Sequence, residues 1–348
     1  MDTIKLAWYA INAYTPHIFI DSTGCAFTFI IAKLVAHCKI IAYVHYPTIS
    51  TDMLSLVWER RPNFNNSSGI SRSRTFTYIK LVYYVIFALA YGFIGSLADL
   101  VLVNSTWTYN HIYKIWRLAR NRIFIVYPPC DTYSLTSMDI HNRKRLILSI
   151  GQFRPEKDHM LQIRAFAAFL HDSRYKTKNR DVKLVLLGSC RGESDERLVR
   201  NLQDLAASLG VSNSVEFVLN QPFSVLKEYF ATASIGLHTM WNEHFGIGVV
   251  EMMAAGLITI AHNSGGPKTD IINVQDNEKE CRTGYLAYSE EEYSTTMNII
   301  LNQLSLEKCL AIRESAQKSS QRFSDDMFNV SFKSQLLKLV FLKTQKSK

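Results

Sequence analysis

Short runs of branched and aromatic residues alternate with longer amphipathic stretches along most of the chain, predicting an α/β protein built on parallel sheets. In the first third, HIFID (17–21), KIIAYVHYP (39–47), DLVLVN (99–104) and RIFIVY (122–127) read as strands, with a helix over 25–37. Residues 63–73, rich in Ser, Asn and Gly, read as a loop, and Pro128-Pro129 interrupts the regular pattern. The second half is more regular: strands at 145–150, 182–187, 215–219, 235–238 and 257–261 alternate with helices, and further helices follow from about residue 290. The expected organisation is a first Rossmann-like domain (1–129), a linker (130–145), a second Rossmann-like domain (146–323), and a C-terminal helix with a basic tail (324–348). With about four strands and no Gly-rich first turn, the first domain reads as incomplete, its opening portion missing.

The stretch LVYYVIFALAYGFIGSLA (81–98) carries no charge and equals the shortest membrane spans in length. Three readings are open: a buried helix, a span, or a helix dipping into one leaflet. A span would separate the strands at 99 and 122 from the strand ending at His45, although all three belong in one sheet. The leaflet reading fits best, with a membrane-associating helix over 76–98 and Lys80, Tyr83, Tyr84 and Tyr91 near the interface.

Composition narrows the class. The chain has 348 residues, 47% hydrophobic and 20% charged, which suits two globular domains. A formal net charge of +9 favours an anionic partner. Nucleic acid is disfavoured, because no zinc-finger spacing, RNP-like aromatic pair or basic recognition helix occurs. The six cysteines never form a C-x-x-C pair and read as reduced thiols. Sequons at Asn65, Asn66, Asn104 and Asn329 read as chance matches, since Asn104 ends an expected buried strand.

Two segments carry chemistry. GQFRPEK (151–157) follows a strand, where open α/β sheets bind ligands. Gly151 permits a sharp turn beside a phosphate, Arg154 and Lys157 supply cations, and a helix starting near Asp158 adds amide donors. Charge-assisted bonds of this kind are worth roughly 1.5–3 kcal/mol each. The other segment, EHFGIGVVE (243–251), separates Glu243 and Glu251 by seven residues, with Gly246 and Gly248 between them. One carboxylate can grip sugar hydroxyls and the other a ribose. For Lys157 and Arg154 the alternative is ordinary surface charge, and for Glu251 a simple preference for the positive end of a helix. Trp241 and Asn242 suit either a pocket wall or packing, and Gly265-Gly266 either a ligand turn or a plain strand-to-helix turn. Gly188 and Leu219 end their strands at the same edge and could flank a base. His45 ends a first-domain strand, where function and packing are equally open.

These segments resemble the retaining glycosyltransferases of the GT-B class, family 4, over nearly the whole chain and most densely from Gly151 to Asp270. The resemblance implies two Rossmann-like domains facing a cleft. It also implies that GQFRPEK binds a diphosphate, Glu243 the transferred sugar and Glu251 the ribose, with Gly246 and Ile247 giving amides to sugar or phosphates and His45 lying near the sugar. YVHYPTISTDML (43–54), FRPEKDH (153–159) and WNEHFGIGVVEMMAAG (241–256) are similar to one branch, the α-1,2-mannosyltransferases of N-glycan precursor assembly. That branch implies GDP-mannose as donor, a dolichol-diphosphate-linked trimannosyl-chitobiose acceptor taking two mannoses in succession, and work at the cytosolic face of the endoplasmic reticulum membrane. Other mannosyltransferases of the pathway are candidate partners. Gln152 replaces an Arg frequent in the family, making Arg154 the substitute cation, and Ile258 replaces a frequent Pro. No carboxylate cluster with Mg²⁺-ligand spacing occurs, so no metal or other cofactor is expected. Two alternatives are a relative with another donor or acceptor, and a shortened, inactive form that binds membrane or partner proteins.

Overall fold

The computed structural model describes residues 2–49, 74–276 and 281–341. The expected loop at 63–73, the sequons at Asn65 and Asn66, and the end of the 43–54 motif lie outside them. The chain divides into two compact units: residues 1–127 with 329–348, and residues 128–328.

The first unit carries four parallel strands in the order β1-β2-β3-β4: Ile18–Asp21, Lys39–Val44, Leu100–Val103 and Ile123–Ile125. After Lys39 the two central strands are short apolar runs buried along their length, as strands covered on both faces should be. The helix expected over 25–37 is shorter, a single 3₁₀ turn (Ala26–Thr28) followed by Phe29–Leu34. Asn104 is buried, its Nδ2 donating to the His45 carbonyl at 2.9 Å and its Oδ1 accepting from Thr108 at 2.6 Å, so its amide is engaged in the fold.

The long apolar helix runs Arg74–Gly95. Tyr91 is fully buried, and Gly92 allows the backbone of Ile115 to approach so closely that a methyl group there would collide with the Ile115 carbonyl. The opposite face is open: Tyr78, Ile79, Tyr83, Ile86, Leu89 and Phe93 are all exposed. The reading as an ordinary buried helix therefore fails, because only one stripe of it packs. Beside it a groove of about 560 Å³ is lined by Val85, Leu89 and Phe93 from this helix and by Ile115 and Leu118, with Lys114 and Arg117 also on its walls.

In the second unit six parallel strands follow the order β10-β9-β8-β5-β6-β7. They are Lys144–Ile150 (β5), Lys183–Gly188 (β6), Val215–Leu219 (β7), Ala233–Leu237 (β8), Ile258–His262 (β9) and Gly284–Ala287 (β10). This is the doubly wound arrangement, with strand order reversing between β5 and β8. Residues 130–145, expected as a linker, are packed into this unit. Thr132–Thr136 is helical, Leu135 is buried with Leu148, Val185 and Phe230, and the Arg143 guanidinium donates to the carbonyls of Phe230, Ala233 and Ala255. The C-terminal helix runs Asp325–Phe341, and its Lys338 lies over the Phe124 ring of the first unit's sheet.

Candidate active site

The strand order reverses between β5 and β8, and the carboxyl ends of strands at such a reversal are where open α/β sheets bind ligands. The loop after β5 carries Gly151, Arg154 and Lys157; the loop after β8 carries His238, Glu243 and Gly246. Gly151 donates its N–H to the Leu187 carbonyl at 3.0 Å, tying the first loop to β6. There Gly188 passes so close that any side chain on it would strike the Gly151 carbonyl. Leu219 is paired with Gly188 across the β6–β7 ladder, so the three expected backbone positions share one edge.

Lys157 and Glu243 meet, Nζ to Oε2 at 2.7 Å. His238 reaches the same oxygen through Nε2 at 3.2 Å. Glu243 is 14% exposed and His238 6%. Burial by itself would raise the Glu243 pKa, but the hydrogen bond and charge of His238, and then those of Lys157, outweigh it and hold the carboxyl well below its usual range. Local bonds fix this arrangement. Thr239 Oγ1 donates to the Lys157 carbonyl at 2.8 Å and accepts from Gln162 Nε2 at 2.8 Å. Behind the Glu243 loop, Gly265 and Gly266 press directly on its backbone, and Gly266 N–H donates to the Glu243 carbonyl at 2.8 Å. A Cβ on Gly265 would collide with that carbonyl, so the double glycine sets the height of the loop.

Glu251 has a different environment. It is the fifth residue of the helix Ile247–Ala254, largely buried, and its side chain makes no hydrogen bond or ion pair among the described residues. Burial, and to a smaller degree the charge of Asp131, push its pKa up to about 7. The helix starts at Gly246 (φ 108°), with no side-chain cap and no acidic residue in its first turn. Helix geometry leaves the first amides, those of Ile247 and Gly248, without intrahelical acceptors, a suitable place for an anion. Ile247 itself is exposed.

The other expected helix start differs. The helix His159–His171 is capped by Asp158, whose Oδ1 accepts the Leu161 N–H at 3.2 Å, so a carboxylate already occupies the position assigned to a phosphate. Arg154 is exposed and its guanidinium has no partner among the described residues. His45 belongs to the other unit. Its ring packs edge-on against Tyr43 at 4.6 Å, and partial burial lowers its pKa against the opposing pull of Asp21.

The comparisons with known proteins divide along the same lines. Residues 1–116 match the family described as ALG11 mannosyltransferase N-terminus, and residues 136–319 match glycosyl transferases group 1. The human GDP-Man:Man(3)GlcNAc(2)-PP-Dol alpha-1,2-mannosyltransferase is 49% identical over 343 residues, which is 97% of this chain and 68% of the human one. The Dictyostelium discoideum protein of the same name is 42% identical, over 95% of this chain and 65% of its own length. The chain belongs to this mannosyltransferase family. Solved structures agree on the fold. Anabaena HepE in complex with UDP-glucose has a TM-score of 0.66 at 19% identity, covering 96% of this chain and 82% of its own. A trehalose-phosphate synthase from Burkholderia xenovorans has a TM-score of 0.73 at 10% identity, covering 97% and 77%. The fold is that of the GT-B glycosyltransferases.

Within this mannosyltransferase, sequence reasoning missed His238 and left Gly265-Gly266 undecided. A histidine ending a buried strand looks like packing. Its position five residues before Glu243, on the same strand-to-helix turn, is the signal that could have singled it out.

Proposed function

We infer that this chain is a retaining glycosyltransferase that moves mannose from GDP-mannose, in α-1,2 linkage, onto the dolichol-diphosphate-linked Man(3)GlcNAc(2) acceptor, in two successive additions. The observation that carries the reading is the meeting of Lys157 and Glu243 at the strand-order reversal of a chain 49% identical to the human enzyme of that name. In this reading Glu243 holds the mannose hydroxyls, Glu251 accepts from the ribose, and Gly188 and Leu219 flank the guanine. Lys157 and Arg154, with the amides of Gly246 and Ile247, receive the diphosphate, and His45 lies near the sugar. During transfer the bond from mannose C1 to the β-phosphate oxygen breaks as C1 bonds to the acceptor hydroxyl oxygen. The hydroxyl proton passes to a β-phosphate oxygen, giving GDP. Negative charge grows on the leaving diphosphate, so preorganised cations there lower the barrier. No resident metal is part of this scheme. Incubation with GDP-mannose and the lipid-linked trimannosyl acceptor, in the presence of a chelator, should yield the doubly extended product. Preference for another nucleotide-sugar, or loss of turnover on chelation, would overturn it.

The membrane reading belongs here too. The exposed apolar face of Arg74–Gly95 and the groove beside it, flanked by Lys114 and Arg117, suit a helix lying in one leaflet of the endoplasmic reticulum membrane on its cytosolic side. The chain should float with liposomes, and Ile86→Ser with Phe93→Ser, both on the exposed face, should weaken that binding. Unchanged flotation of the double variant would remove this helix as the anchor.

A further inference from the structure

The two donors to Glu243 are unlike. Lys157 lies on a flexible stem, 26% exposed, in a loop that the donor's diphosphate must also approach. His238 is buried and anchored through its own backbone: its N–H donates to the Ile260 carbonyl at 2.9 Å, and its carbonyl accepts from Tyr293 Oη at 2.9 Å. Both donors converge on Oε2. An arriving diphosphate competes for the Lys157 ammonium with more negative charge than one carboxylate has. If Lys157 turns toward it, Glu243 loses its cation while still desolvated, a costly state unless another donor stays in place.

We propose that His238 is a positioning residue for mannosyl transfer, holding the Glu243 carboxylate in register when Lys157 is drawn to the donor diphosphate. This rests on the assignment of Glu243 to the sugar and Lys157 to the phosphates. An ionised carboxylate only accepts, so His238 Nε2 carries the hydrogen. The other ring nitrogen, Nδ1, is buried without a partner among the described residues, so turning the ring over would abandon the bond to Glu243. The neighbouring titratable groups are Lys157 from the loop after β5, His159 from the helix His159–His171, and His262 at the end of β9. Burial, followed by nearby positive charge, lowers both histidines to about 4, so neither substitutes as a cation near neutral pH.

The test compares the chain with His238→Leu and His238→Gln, using GDP-mannose and the lipid-linked acceptor. His238→Leu should lower kcat by roughly 10- to 100-fold, the range for losing a bond to a charged group, while KM for GDP-mannose changes little. His238→Gln, which keeps an N–H donor, should recover most of the rate. In His238→Leu the acid limb of kcat/KM should move to higher pH, because Glu243 loses a group that keeps it ionised. Near-normal kcat in His238→Leu, or equal damage in His238→Gln, would overturn the proposal. A second measurement avoids turnover and the folding of the variants at position 238: ¹⁵N-histidine spectra should show His238 protonated at Nε2, with resonances that move in Glu243→Gln. Unmoved resonances would also overturn it. Should the unmodified chain transfer no mannose, the proposed function fails, while the spectra still decide whether His238 holds Glu243.

Discussion

Glu243 and Glu251 stand eight positions apart, yet their surroundings are opposite. Around Glu243 the protein has assembled an ammonium, an imidazole N–H and a rigid double-glycine backing, so its charge is settled before any ligand arrives. Around Glu251 it provides burial, the like charge of Asp131 and, among the described residues, no hydrogen-bond donor, leaving the carboxyl near its midpoint at neutral pH. The difference shows that one motif can hold a finished element and an unfinished one. The first carboxylate is preorganised by protein, and in the proposed function the second is completed by a ligand's hydroxyls.

The sharpest way to break this contrast is Lys157→Ala. It removes the cation from the finished region, leaves Glu251 untouched, and should reduce kcat by about 10²–10³, the loss typical of one preorganised donor to a developing oxyanion. Turnover close to normal would show that the ammonium and the departing diphosphate never meet.

A smaller effect is expected from Glu251→Gln, read as stability. Because the folded pKa of Glu251 is raised from 4.5 to about 7, the native state holds a proton there that the unfolded chain has released. Stability from this group is therefore greatest below about pH 4.5 and falls as pH climbs to about 7, where the penalty is complete. Glu243 slopes the other way: its depressed pKa stabilises the fold above the unfolded value and is lost as pH falls. Glu251→Gln should accordingly stabilise the ligand-free chain by about 1–3 kcal/mol at pH 8 and hardly at all at pH 4. Equal changes in Tm at both pH values would contradict the environment described for Glu251.

Much of this architecture was legible from local pattern. The strands β6, β8 and β9 are short, mainly apolar and mainly buried, and each was placed within two residues. What escaped depends on contacts between distant segments. β10 is four residues long, begins with Gly and pairs only with β9, so no periodicity marks it. The polar run at 130–145 looked like a tether because its anchoring is done by Arg143, a charged residue satisfied by three backbone carbonyls from elsewhere in the unit. Likewise Glu243 and Lys157 were each visible as candidates, but their shared location follows from β5 lying next to β8, which is a property of sheet order. His238 was missed because a histidine at the end of a buried strand looks like packing.

The return of residues 329–341 to the unit formed by residues 1–127 has a consequence for biosynthesis. On a translating ribosome the first unit lacks its final helix until some two hundred intervening residues have been made. The second unit, continuous from 128 to 328, is therefore free to mature first, and the earlier-made half is the later one to be sealed.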